Sequence, residues 1–572
     1  MLIAMGNICP KTTKTVAHDK FVINRNNGIP FNINLTTIFV LPKTITKFGG
    51  PMKSKLLLLL GISWLCAIQP ILAQENELPK SDSSKFVGGA VVGAVTIDGK
   101  TFQQFSLRAD VPIGKFGFGL DLQLLFDEKG QIRKEDWDQW QDYLDKIYYI
   151  RYGKKRDPFY IKVGGLDYSY IGYSNIVNGY SNMVQYPTRK RYGGELSFFV
   201  SSEENEGKPK FGGELFFNDV KELFVDSPAE KGIVFGTRAF YRPLKLVEVG
   251  VTVAGDLNEY NAFLDRDSDG VPDQIDSYKN DKAWATDMDK ITMAEWNHLL
   301  DDPYWGATRD ERYNKLRDLN LVPADTARMA DLFNMNNQSS KMYAASIDLG
   351  FPIIDREMLK FDIYSHFTQL RGESKTYGWG VALPGARLII GSGSVNNFLT
   401  LKAEYRRSSK EFLFGYFNNT YELERAQFVG RNTVVTKQQT LLGVTEELNG
   451  IYASAELNIF NYVVCYASYQ DLMGSGKDHM RSIHGELSMG ENLKKLISFG
   501  EVKGYYVQNN VQDFTEWRTP STLVGYTIGY NYKGAVVGFD YRWAFQDLDG
   551  NGKIKGSNEV LKTISFRTAI TF

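Results

Sequence analysis

Cysteine and histidine are scarce, at 3 and 5 in 572 residues. Cys9 and Cys66 precede the body of the chain, so Cys465 stands alone there, and neither a disulfide framework nor a paired-thiolate zinc site can form. The later histidines, His298, His366, His479 and His484, have no serine or cysteine nucleophile at a recognisable spacing, and there is no glycine-rich phosphate loop. An enzyme is therefore not expected, and Ser475 and Asp478 beside His479 read as part of a polar rim. Charge of one sign is also missing: 66 basic against 67 acidic residues leave a net charge of -1, which gives nucleic acid nothing to hold. Nor is there an apolar run of the roughly 20 residues that a membrane helix needs.

The longest such run, Leu56 to Leu65, is too short to span as a helix. Lys53 and Lys55 precede it and Ile71-Leu72-Ala73-Gln74 follow. A basic start, a short apolar centre and a small residue before the cut make an export signal over residues 52–73. Trp64 and Leu65 stand where a lipid-attachment site at Cys66 would want small residues, which excludes lipidation. Residues 1–51 then read as an upstream extension foreign to the protein, with Met52 as the start, because Gly49 and Gly50 imply G-rich codons where a ribosome-binding sequence would lie. Residues 74–85 read as a linker and 86–572 as the body.

What the body does have is aromatics and glycine, 36 Phe, 32 Tyr, 9 Trp and 53 Gly across the chain, set in strict alternation. Phe116, Phe118, Leu120, Leu122, Leu124 and Phe126 alternate with Gly117, Gly119, Asp121 and Gln123. Val247 to Val253 alternates against Glu248, and Leu399 to Tyr405 against Lys402, Glu404 and Arg406. Val537, Phe539, Tyr541, Trp543 and Phe545 alternate with Asp540 and Arg542. In the last strand, Ile564, Phe566, Thr568, Ile570 and Phe572 alternate with Arg567 and small polar residues. A soluble sandwich or solenoid packs such faces on a core. A membrane-spanning barrel turns the apolar face to lipid and the charged face to its lumen, since a lipid-facing charge at mid-membrane costs about 2 to 4 kcal/mol.

A final strand closing on the aromatic Phe572 resembles the assembly signal of bacterial outer-membrane β-barrel proteins. The resemblance implies an all-β fold, a transmembrane antiparallel β-barrel in the cell outer membrane, with membrane lipid and the barrel assembly machinery as partners. Counting runs predicts about twenty strands, within a range of about 16 to 22, and an even number. Short connections, such as Pro112 to Lys115, Pro243 to Lys245 and Pro352 to Glu357, fall on one side. Long outer ones fall on the other: Asp127 to Lys146, Asp167 to Arg191, Asp256 to Gln338 and Arg407 to Thr440. Helical spacing within Lys134 to Ile147 and Thr292 to Leu300 predicts short helices whose apolar stripes pack on the barrel rim. Tyr168, Tyr170, Tyr173, Tyr180 and Tyr186 read as part of the outer aromatic girdle, with folding inward to narrow a pore as the alternative.

Within the 256–338 insertion, Asp265, Asp267, Asp269, Gly270, Val271, Asp273 and Asp276 fall at the first, third, fifth, sixth, seventh, ninth and twelfth positions of a twelve-residue cation loop. The segment resembles a thrombospondin type 3 calcium repeat and, more loosely, an EF-hand loop. That resemblance implies calcium held by Asp265, Asp267, Asp269 and Asp276, by the Val271 carbonyl, and by Asp273 through water, in a structural role. A weaker copy places Asp547, Asp549 and Asn551 at the first, third and fifth positions. The charges Asp121, Glu248, Lys402, Glu404, Arg406, Asp540, Arg542 and Arg567 are expected to line the lumen of a porin-like channel for a small solute. The alternative is a surface-binding or adhesion barrel with calcium-ordered loops.

Overall fold

The computed structural model describes residues 87–571, with interruptions within connections, chiefly at 202–208, 224–231, 286–292, 319–331, 392–397 and 548–552. The extension 1–51, the export signal 52–73 and the linker 74–85 lie outside the described residues. So do Phe572, Asp549, Asn551 and the side chain of Arg567.

Alternation becomes strand wherever it was legible. Twenty strands, from Val87–Ile97 to Val560–Thr571, form one antiparallel sheet. The first pairs with the last, from Val87 opposite Thr571 to Val95 opposite Thr563, so the sheet closes into a barrel without an edge. In Phe116–Phe126, Phe116, Phe118, Leu120 and Leu122 are exposed on the outside while Asp121 and Gln123 are buried inside. In Met342–Arg356, Tyr343, Ile347, Leu349 and Phe351 face outward, while Ser346 and Asp348 face in. Ile347 sits between Val251 and Phe367 of the two neighbouring strands, both also exposed. Such a band is far larger than the few hundred Å² of contiguous apolar surface that a soluble monomer leaves bare, and each side chain left in water forfeits roughly 1.5–3 kcal/mol.

Three prolines correct the expected turns. Pro112, Pro243 and Pro352 belong to the strands Lys100–Ile113, Val234–Leu244 and Met342–Arg356, and the turns fall just beyond them. The register shifts between Tyr241 and Leu244 and between Pro352 and Ile354, because proline has no N–H for the ladder and is tolerated at a bulge.

At one end the connections are short, as at 114–115, 245–246, 357–358 and 460–462. At the other end lie 127–146, 165–192, 257–341 and 409–447. The predicted helix near 292 is Met293–Asp301, and its Trp296 and Leu300 are buried against Leu316 of a second helix, Arg309–Asp318. The stripe is thus a packing face between two helices of the insertion. In the other stretch a 3-10 turn spans Lys134–Asp136 and a strand opens at Ile147, while most of the predicted helical segment between them lies outside the described residues.

Candidate functional site: a plugged lumen

Twenty strands enclose a lumen wide enough for water, and two of the long connections enter it. They join one another directly: Val177–Tyr180 of the first pairs in parallel with Phe417–Asn418 of the second.

The tyrosine-rich connection 165–192 folds inward, which corrects the girdle expectation. Tyr173 stacks on Tyr364 of the wall with ring centres 4.1 Å apart, and its carbonyl accepts a hydrogen bond from Lys402 Nζ at 2.5 Å. Asn175 Nδ2 donates to Ser346 Oγ at 2.6 Å and to Thr368 Oγ1 at 2.5 Å, and Tyr186 OH donates to Asp121 at 2.6 Å. The interleaved Asn and Ser decide the direction: polar groups leave water only where they find partners, and the inner wall supplies them while lipid does not.

The second connection brings its own core. Phe412, Phe414, Tyr416, Phe417 and Tyr421 are buried with Ile176, Val177 and Tyr180 of the first, against wall residues that include Phe216, Ala254, Met342 and Leu472. An apolar core inside a barrel is a plug, and buried ion pairs tie it to the wall and hold it together internally. Arg425 reaches Asp256 through Nε at 2.6 Å and Nη2 at 2.8 Å, with both side chains fully buried. Arg191 lies 2.9 Å from Glu422, also fully buried, and Lys437 lies 2.7 Å from Glu424. Tyr421 OH donates to Asp256 at 2.7 Å and Tyr416 OH to Glu259 at 2.5 Å. Burial opposes the charge of Arg425, but Asp256, Glu422 and Glu222 outweigh it and hold its pKa well above the usual value. Burial likewise opposes Glu422, yet Arg191 and Arg425 keep it below the usual carboxylate range.

Two carboxyls that face the plug from neighbouring connections behave oppositely. Burial pushes Glu222 up to about 8, and burial with the nearby Asp256 pushes Glu259 up to about 7. Below the ordinary value of 4.5, both are neutral whether the plug is packed or released, so they oppose nothing. As pH rises above that, release permits an ionisation that packing resists, and the stability they contribute is lost through their folded values. The Glu422 contribution is complete by then and does not vary. Protease cleavage within 409–447 is therefore expected to run severalfold faster at pH 9 than at pH 6. Equal rates, after correction for the protease's own pH profile, would show that both carboxyls are already ionised in the packed plug.

Of the expected lumen charges, those whose side chains are described, all but Arg567, stand on the inner wall and are engaged. Glu404 accepts from Tyr364 OH at 2.6 Å and lies 2.9 Å from Lys402 and 2.6 Å from Arg406, which also donates to Gln470 at 2.5 Å. Glu248 holds Arg238 at 3.1 Å and Arg242 at 2.9 Å. Asp540 accepts from Thr527 at 2.7 Å, and Arg542 donates to the Tyr186 carbonyl. Asp121, Glu404 and Arg406 are 1%, 2% and 3% exposed, so they do not face open water. A pocket left between plug and wall, lined by Tyr168, Tyr170, Asn418, Tyr466 and His484, measures about 40 Å³, room for a few waters. Sequence reasoning missed Arg238 with its partner Asp348, and Arg387 as the partner of Asp362, a residue expected beside the lumen-facing His366. The alternation of Val234–Leu244 and Tyr377–Ile390 carried that signal.

In the insertion, Asp265, Asp267 and Asp269 each bring a carboxylate oxygen within 4.8 Å of the others. Gly270 takes φ 97°, the left-handed conformation the turn requires, and its N–H donates to Asp265 at 2.8 Å. Val271 is fully buried. Asp273 is turned to Arg266, 3.2 Å from its Nε, and Asp276 is buried, which pushes its pKa up to about 7 with the charges of Asp267, Asp269 and Asp273 adding to the rise.

No protein-family model matches the sequence, and no curated protein matches it. Among solved structures the chain is similar to OccAB3 of Acinetobacter baumannii, at 9% identity over 85% of this chain and 98% of that one, with a TM-score of 0.24. It is also similar to OpdQ of Pseudomonas aeruginosa, at 10% identity over 85% and 96%, TM-score 0.24. A porin of Rhodopseudomonas blastica matches at 9% identity over 67% and 90%, TM-score 0.23. A likeness of this degree assigns no function.

Proposed function

We propose that the protein is an outer-membrane channel for small polar solutes, held closed in this conformation by its two inward connections. The observation that carries the reading is a closed barrel, apolar outside, whose charged inner wall is covered by a plug packed on it through a buried apolar cluster and the Arg425–Asp256 ion pair. The apolar band supports lipid as its surroundings, because only a closed barrel or a helix satisfies its backbone there. Paired charges of both signs, such as Arg238 with Asp348 and Arg387 with Asp362, support a hydrated passage without strong ion selectivity once the plug withdraws. The size of the 257–341 connection favours a second reading, a surface-binding barrel that never conducts.

The membrane part of the proposal is tested by cell fractionation and electrophoresis. The protein is expected in the outer-membrane fraction, inserted by the barrel assembly machinery, and to migrate faster before boiling than after it, as an intact barrel resists the detergent. Recovery as a soluble periplasmic protein with native β-structure is the contrary result.

A further inference from the structure

We propose that a divalent cation with calcium's chemistry binds the Asp265–Asp276 loop and thereby holds the plug in place, an inference that rests on the reading of 409–447 as a plug. Asp276 is 4% exposed, its Oδ1 accepts from Tyr278 N–H at 2.7 Å, and its Oδ2 has no hydrogen-bond partner among the described residues. The charges it faces are those of Asp267, Asp269 and Asp273. A buried carboxylate oxygen without a donor, set among like charges, is costly, and a hard cation with oxygen ligands supplies what that arrangement lacks.

The loop is wired to the plug by contacts that can be followed residue by residue. The Gly270 carbonyl accepts from Met335 N–H at 2.7 Å, and the Asp269 carbonyl accepts from Asn334 Nδ2 at 3.4 Å and Asn336 Nδ2 at 3.2 Å. Met335 and its neighbour Phe333 are buried in a cluster with Tyr260 and Phe263 of the insertion and with Ala426, Phe428 and Val434 of the plug. Phe428 stands 4.7 Å from Phe263 and 6.2 Å from Phe333, ring centre to ring centre. The strand that carries it, Ala426–Phe428, begins directly after Arg425, the residue that pins the plug to Asp256. Fixing the backbone at Asp269 and Gly270 therefore fixes Asn334 to Asn336, which seats Phe333 and Met335, which in turn holds the strand behind Arg425. A cation bound at one end lowers the freedom of every link and favours the seated plug.

The test is calcium binding by calorimetry together with amide hydrogen exchange on the full-length barrel in detergent, with calcium or with chelator and magnesium. Calcium at ten times its Kd is expected to slow exchange at 265–276 and at 412–428 by about tenfold. An Asp265→Asn, Asp269→Asn double variant should lose both effects at that concentration. Phe428→Leu, a mild change, should keep binding and the slowing at 265–276 but lose much of it at 412–425. Binding without any change at 412–428 would overturn the coupling, and absence of saturable binding would overturn the site. Neither readout involves conductance, so failure of the channel reading leaves this outcome legible.

Discussion

Replacing Arg425 with alanine is expected to raise the open probability of the reconstituted channel by about two orders of magnitude. Arg425 and Asp256 are fully buried, and Arg425 also reaches the carbonyls of Gly232 and Asn258 at 3.3 and 3.1 Å. Removing one member of a buried pair leaves the other charge uncompensated and costs about 3 to 5 kcal/mol. That penalty falls on the seated plug alone, because a withdrawn plug exposes Asp256 to lumen water. At about 1.4 kcal/mol per factor of ten, even the lower figure shifts the closed-to-open ratio by about a hundredfold. Wild-type and variant proteins would be compared by the fraction of time open in single-molecule bilayer recordings. The barrel strands pair with one another independently of Arg425, so heat-modifiability should be unchanged; an open fraction equal to that of wild type would remove the latch from the account.

The second large effect concerns the outside of the barrel. Ile347→Arg should lower the stability of the lipid-embedded protein by about 2 to 4 kcal/mol, the cost of a cationic side chain near the bilayer midplane. Ile347 is 55% exposed and lies between Val251 and Phe367 in the middle of the apolar band. The same change at Tyr304, 77% exposed in the 257–341 connection, should stay within about 0.5 kcal/mol, as surface substitutions do. Denaturant unfolding in lipid vesicles measures both. If the two variants were equally stable, the Ile347 face would be in water, and the barrel would not be a membrane barrel.

The barrel was legible in the sequence because each of its decisions is local. A period of two over Phe116–Phe126 or Met342–Arg356 sorts every side chain to one face, and charges such as Asp121 and Glu404 fix which face is inside. Strand number followed from counting such runs. The plug was not legible, because its contacts join distant positions: Arg425 meets Asp256 across 169 residues, and Tyr180 meets Glu422 across 242. Aromatic residues in a long connection carry no address of their own, so Tyr173 and Tyr180 suited a lipid girdle as well as a lumen. Asn175 between them and Asn182 just beyond were the usable sign, since Asn182 receives and donates buried backbone hydrogen bonds that a rim position would leave to water. For the acidic loop, the spacing grouped Asp265, Asp267 and Asp269, whose oxygens lie within 4.8 Å of one another, whereas nothing in it revealed the pairing of Asp273 with Arg266.

On the proposed function, a conducting lumen lies behind a removable plug. Planar-bilayer recording of the wild-type barrel beside a variant in which residues 412–444 are replaced by a short Gly-Ser linker tests it most directly. The wild type should be closed for most of the record, with brief openings, and the variant should conduct steadily. Silence from both, with each barrel heat-modifiable and inserted in the membrane, would contradict the account and leave the surface-binding reading in its place.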